Sequence, residues 1–168
     1  KYLLSETHKR KWTDRKIDKA HYSNGLFVWY FGTKKQYPDI PHHSIILGPR
    51  YKGLLTDIFK HKKPTEDFSL YLHRPTATDP SMAPEGCDAF YALIPVPHLD
   101  SGTDWTTHAE IFRRAVEKRL EETGLPDLGA NLVTSLMLTP LDFQNRLNSV
   151  KGAGFSLEPR ITQSAYFR

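Results

Sequence analysis

Residues 73–86, HRPTATDPSMAPEG, carry the side chains best suited to proton chemistry in this sequence: Asp79 and Glu85, with Arg74 beside them. A carboxylate held in an apolar cavity accepts a proton or stabilises a cation, with its affinity for the proton set by burial. Asp79 directly precedes Pro80 and serves equally well as a turn former. The three prolines of this stretch fix φ and remove amide donors, so it reads as a shaped loop that neither pairs in a sheet nor coils into a regular helix. Ordered loops of this length often line a site.

Other chemistries find less support. Eight histidines invite a metal reading. His42 and His43 are adjacent at a strand start, where alternation sends them to opposite faces, and no HxxxH spacing occurs, so no metal site is expected. Cys87, the one cysteine, stands at a strand start with no basic neighbour and reads as a small buried hydrophobe. There is no CxxC, GxSxG, P-loop or GxGxxG, and Gly152-Ala153-Gly154 is too short to cradle a phosphate.

The elements that must position these residues follow from periodicity. Leu4, His8 and Trp12 recur every fourth position and predict a short N-terminal helix with basic residues outward. The stretch 22–32, YSNGLFVWYFG, predicts a strand apolar on both sides, with Leu26, Val28 and Tyr30 on one and Phe27, Trp29 and Phe31 on the other. One side meets the core; the other needs a second layer, a partner or a greasy ligand, and periodicity does not choose between them. Further strands are expected at 43–48, 68–73, 87–97 and 130–140, and a helix at 51–60. A long helix runs from Asp104 to Glu122, with Ile111, Phe112, Ala115, Val116 and Leu120 on its apolar face and Gly124 at its end. In TPLD, Thr139 caps a last helix with Pro140 at its first position. About five strands and three or four helices in mixed order predict an α+β (mixed α/β) fold built on one mixed sheet.

At 168 residues, 39% apolar and 25% charged, the chain has the size and composition of one globular domain. It carries no run of 18 apolar residues and no apolar leader behind its basic start, so neither a membrane span nor a secretory signal is encoded in it, and a single cysteine suits a reducing compartment. The net charge of +4 is concentrated at residues 1–19, with seven basic against three acidic side chains, and a second cluster, KHKK, occupies 60–63. Such clusters suit a solvated face, an anionic lipid surface or nucleic acid, but no nucleic-acid-binding pattern accompanies them.

Three long stretches share one resemblance. Residues 11–60 (KWTDRKIDKAHYSNGLFVWYFGTKKQYPDIPHHSIILGPRYKGLLTDIFK), 66–99 (EDFSLYLHRPTATDPSMAPEGCDAFYALIPVPHL) and 139–168 (TPLDFQNRLNSVKGAGFSLEPRITQSAYFR) resemble the middle-to-late part of bacterial-type phytoene desaturases, a family of flavin-dependent carotenoid oxidoreductases. The resemblance implies a substrate domain like that of amine-oxidase-like flavoenzymes, here a single substrate-binding portion over residues 1–168. The dinucleotide-binding βαβ unit with GxGxxG and the C-terminal flavin segment are then expected outside this sequence, and the portion alone is expected to be inactive. It implies FAD as cofactor and dehydrogenation of 15-cis-phytoene towards lycopene or a partly desaturated carotene, with quinone or oxygen as electron acceptor. A cytoplasmic protein bound peripherally to the membrane surface follows, with the basic clusters as lipid contacts. In that frame Asp79, Glu85 and Arg74 are the catalytic candidates. Phe27, Trp29, Phe31, Tyr71, His73 and Tyr91 are the substrate contacts, and Gln163 and Ser164 touch the flavin. A non-catalytic hydrophobic-ligand-binding remnant, or a related carotenoid oxidoreductase or isomerase, is the alternative.

Overall fold

The computed structural model describes residues 4–65 and 67–163. Its centre is a five-stranded sheet of β1 (Gly25–Thr33), β2 (His43–Ile46), β3 (Leu70–His73), β4 (Asp88–Val96) and β5 (Leu132–Leu138), in spatial order β2-β3-β4-β1-β5. The α+β class expected from the sequence is present. The sheet is not mixed, however: every neighbouring pair is antiparallel. Parallel neighbours need a crossover of a dozen or more residues, usually helical. The one long helix among the described residues, α3 (Trp105–Thr123), instead leads through Gly124 and the short α4 (Leu128–Asn131) into β5, which runs antiparallel to β1.

α3 forms where a polar cap meets an amphipathic run. The Asp104 carboxylate accepts from the Thr106 amide at 3.0 Å, and Gly124, at φ 151°, ends the helix with its N–H on the Leu120 carbonyl. Trp105, Phe112, Val116 and Leu120 are buried against the sheet. Ile111, expected on that face, is 63% exposed, because the contact stripe is narrower than the apolar stripe of the sequence. Opposite α3 stand Phe27, Trp29 and Phe31 of β1, with Phe27 edge-on to Phe112 at 5.1 Å and Trp29 stacked on Phe31 at 4.3 Å. Trp29 donates from its indole nitrogen to Ser135 Oγ at 2.7 Å, and Arg113 lies over its ring. The three rings read from sequence as a spare, substrate-facing side are therefore core residues, all at or below 3% exposure. Each ring removes roughly 1.5–3 kcal/mol worth of apolar surface from water, which no open face would supply.

The N-terminus also differs from the expectation. Residues 4–12 do not form one helix: a 3-10 turn spans Glu6–His8, and α1 (Asp14–Lys19) starts only where Thr13 caps it, accepting from the Lys16 amide. α2 (Tyr51–Thr56) continues through a π-helical turn over Asp57–His61 and stops at Lys62 in the left-handed region. α5 (Pro140–Leu147) has the full capping box foreseen at Thr139, with Asp142 returning a carboxylate to the Thr139 amide at 2.8 Å. Beyond it the chain folds back across the start of β1, where Gly152 (φ 65°) passes so close to the Pro140 carbonyl that a Cβ would lie 2.1 Å from it. Only glycine fits there.

Candidate functional site

With α3 on one side of the sheet, the other side is defined by register. His43 stands opposite His73, His73 opposite Tyr91, Tyr91 opposite Tyr30 and Tyr30 opposite Leu136, one row across all five strands. Two residues along, and so on the same side, runs a second row of Ile45, Tyr71, Leu93, Val28 and Leu138. The rings touch in sequence. Centroids are 5.4 Å apart for His43 and His73, 4.7 Å for His73 and Tyr91, 5.5 Å for Tyr91 and Tyr30, and 5.7 Å for Tyr91 and Tyr71. Ile45, Leu47, Tyr71, Leu93 and Pro95 line an apolar groove of about 350 Å³ on this face. Ile45 and Leu47 are among the most exposed large apolar side chains described, at 74% and 60%.

Neither row contains Asp, Glu, Lys or Arg, and two of its members, His73 and Tyr91, are shifted towards their neutral forms. Burial, reinforced by the neighbouring His42 and His43, lowers the proton affinity of His73. Burial and the Tyr71 hydroxyl raise the Tyr91 phenol above its ordinary value. The face is aromatic and aliphatic, with no carboxylate, ammonium or guanidinium group in either row.

Of the residues singled out from sequence, Tyr71, His73 and Tyr91 come together on this face. Asp79 and Glu85 do not sit in an apolar cavity, since both are exposed. The Asp79 carboxylate accepts from the Ser81 hydroxyl at 2.6 Å and the Ser81 amide at 3.0 Å, bonds that hold its pKa below the usual range. It is the cap of a 3-10 turn, Pro80–Met82, and the turn-forming alternative accounts for it. Arg74 is buried and committed. It donates from Nε to Asp88 at 3.0 Å and from a terminal nitrogen to the Ile40 carbonyl at 2.9 Å, while Asp88 also accepts from Thr76 Oγ1 and the Tyr37 amide, both at 2.7 Å. This network anchors the proline-rich loop to the start of β4. The loop is thus as shaped as its prolines imply, but Asp79 and Arg74 serve its own architecture.

Sequence reasoning missed His42 and His43. They do not diverge: His42, just ahead of β2 and next to Pro41, escapes strict pleat alternation, and its ring lies 4.3 Å from that of His43 and 4.6 Å from that of His73. The pairing of His43 with His73 is set by the β2–β3 register across thirty residues, for which one sequence carries no signal. Gln163, expected at the flavin, spends its amide on the chain itself, donating to the His21 carbonyl at 2.7 Å and the Glu158 carbonyl at 2.9 Å. Ser164 lies outside the described residues.

Comparison of the sequence with known proteins finds relatives. The chain is 50% identical, over its whole length, to the phytoene desaturase (neurosporene-forming) of Rhodobacter capsulatus. It is 51% identical over 99% of its length to the protein of that name from Cereibacter sphaeroides. Over its whole length the chain is thus similar to one part of bacterial-type phytoene desaturases. It is also 45% identical, over 99% of its length, to the phytoene desaturase (lycopene-forming) of Pantoea ananas. It spans about a third of the length of these curated relatives, 33% for the first two and 34% for the third. No protein-family model matches it. The match to phytoene desaturases takes in the ring rows, the proline-rich loop and the basic clusters alike.

Proposed function

We propose that this chain is the substrate-facing sheet of a phytoene desaturase, and that its outer face is the floor on which the polyene lies. The observation that carries the proposal is the double row from β2 to β5, free of Asp, Glu, Lys and Arg, whose first row stays open at Tyr30 and Leu136 while Val28 of the second is buried. A hydrocarbon offers no hydrogen-bonding handle, so it is held by shape and apolar contact alone, and any charge on that surface would be left desolvated and unpaired. Four inter-strand spacings make the rows about 19 Å wide, long enough to align a large part of an extended C40 chain.

Within the whole protein the proposed reaction is dehydrogenation of 15-cis-phytoene to neurosporene or lycopene. Phytoene desaturases are flavin-dependent as a family; a bound flavin supplies the acceptor for the hydride. Gln163 is committed within the chain, to the His21 and Glu158 carbonyls, and no step is routed through the flavin here. What the chain contributes is alignment and exclusion of water. Tyr30, Tyr71, Tyr91 and His73 form a stepped aromatic surface, and Leu93 and Ile45 fill the spaces between the rings. Lys60, Lys62 and Lys63 are exposed beside Phe59 and Leu55, which are 48% and 38% exposed. A cationic rim around exposed apolar side chains suits docking on an anionic bilayer, the reservoir of such a substrate.

The test is the whole protein expressed in cells that accumulate phytoene, with carotenes separated by chromatography. Leu93→Asp places a carboxylate in the middle of the second row and is expected to abolish desaturated product while flavin content and solubility stay at the parent level. Full product formation by that variant overturns the assignment of the face.

A further inference from the structure

The three imidazoles at the β2 edge of the sheet have an arrangement that substrate alignment does not require. His42 Nε2 and His73 Nε2 face each other at 2.7 Å, and one nitrogen from each of His42, His43 and His73 lies within 4.8 Å of the other two. The remaining nitrogens of two of the rings are already oriented: His42 Nδ1 is bonded to Thr78 Oγ1 at 2.6 Å and His43 Nδ1 to the Tyr71 hydroxyl at 2.6 Å. A second-shell bond of this kind from Nδ1 to an oxygen fixes the ring and leaves the Nε2 lone pair for a metal. His73 Nδ1 is buried without a hydrogen-bond partner. Two imidazole nitrogens in mutual contact must share a proton, whereas a cation between them satisfies both at once.

We propose that His42, His43 and His73 form a binding site for a zinc-class divalent cation. Three imidazoles suit zinc, copper or nickel and not magnesium or calcium, which take oxygen ligands. In a tetrahedral site with Zn–N distances of 2.0–2.1 Å, neighbouring nitrogens lie about 3.4 Å apart. The three rings therefore need shifts of well under an ångström to about an ångström, with His42 and His73 opening and His43 closing. The fourth position falls to water. Because His42 precedes the edge strand, His73 ends β3, and Thr78 belongs to the proline-rich loop, an ion here would tie edge strand, inner strand and loop together. The ion would stand at the β2 end of the first row, so the polyene floor is then confined to the stretch from Tyr71 and Tyr91 to β5; the two proposals fail separately, because the readout here is metal binding and not turnover.

The experiment uses the whole protein, stripped with a chelator and titrated with zinc alone and with cobalt alone. The expected result is one zinc retained per chain after dialysis, and a cobalt complex whose visible absorption has the intensity of a four-coordinate site and is displaced by zinc. His73→Gln is expected to abolish saturable binding, and Thr78→Ala to weaken it by about 10-fold or more. His61→Gln, exposed and bonded to Asp57, should leave it unchanged. If His73→Gln fails to fold, His42→Gln gives the same readout from outside the strands. Absence of stoichiometric zinc, or retention undiminished in the His42→Gln/His43→Gln double variant, overturns the proposal.

Discussion

Removal of the buried Asp88 carboxylate gives the sharpest test of how the proline-rich loop is held. The Asp88 side chain has no exposure and that of Arg74 only 9%, with Nε and Oδ2 3.0 Å apart. At that distance their gross attraction is about 5 kcal/mol at an effective dielectric of 20, most of it offset by the cost of taking both charges out of water. Asp88→Ala leaves that desolvation cost on Arg74 with no partner and also strips acceptors from Thr76 and the Tyr37 amide. Breaking such a pair from one side costs about 3–5 kcal/mol. At 1.4 kcal/mol per factor of ten, the folded-to-unfolded ratio falls by between about a hundredfold and a few thousandfold. The assay is urea unfolding of the whole protein followed by tryptophan fluorescence, since Trp29 and Trp105 are both buried in the core. The double variant Arg74→Met/Asp88→Leu removes both charges and should recover at least about 2 kcal/mol of the summed single losses. Turnover should return with stability if Arg74 is structural. A loss below about 1 kcal/mol in Asp88→Ala, or strict additivity in the double variant, refutes the reasoning.

The remaining predictions concern acid and membranes. The Asp104 carboxyl is held below its usual range by the hydroxyl and amide of Thr106. Because its folded-state pKa is depressed, its contribution to stability is complete above the ordinary aspartate value of about 4 and is lost as pH falls through the lower folded value. Asp104→Asn, which keeps a capping oxygen but does not titrate, should therefore flatten the acid limb of a thermal-stability profile; an unchanged limb would show that the cap carries none of the pH dependence. Binding of the whole protein to anionic vesicles should weaken steeply between low and high salt, and weaken at all salt concentrations in the Lys60→Glu/Lys62→Glu variant. Salt-independent binding would instead assign the contact to apolar insertion by residues such as Phe59 and Leu55.

Local chemistry was legible in the sequence wherever it acts over a few residues. The cap at Thr139, the helix start at Asp104, the stop at Gly124 and the stiffness of 73–86 all stand as read, because they depend on hydrogen bonds and torsions within one turn. The two-sided apolar character of 26–31 was also legible, but which side faces the core was not. Alternation is symmetric, and only the docking of α3 onto Phe27, Trp29 and Phe31 broke that symmetry and left Tyr30, Tyr91, Tyr71 and His73 on the outer face. The roles of Asp79, Glu85 and Arg74 were decided by burial, which is a property of the fold: two carboxylates stayed in solvent, and the arginine found Asp88. The meeting of His42, His43 and His73 depends on a strand register between segments thirty residues apart, and hydrogen-bond register between distant strands is set by the packing of the whole sheet.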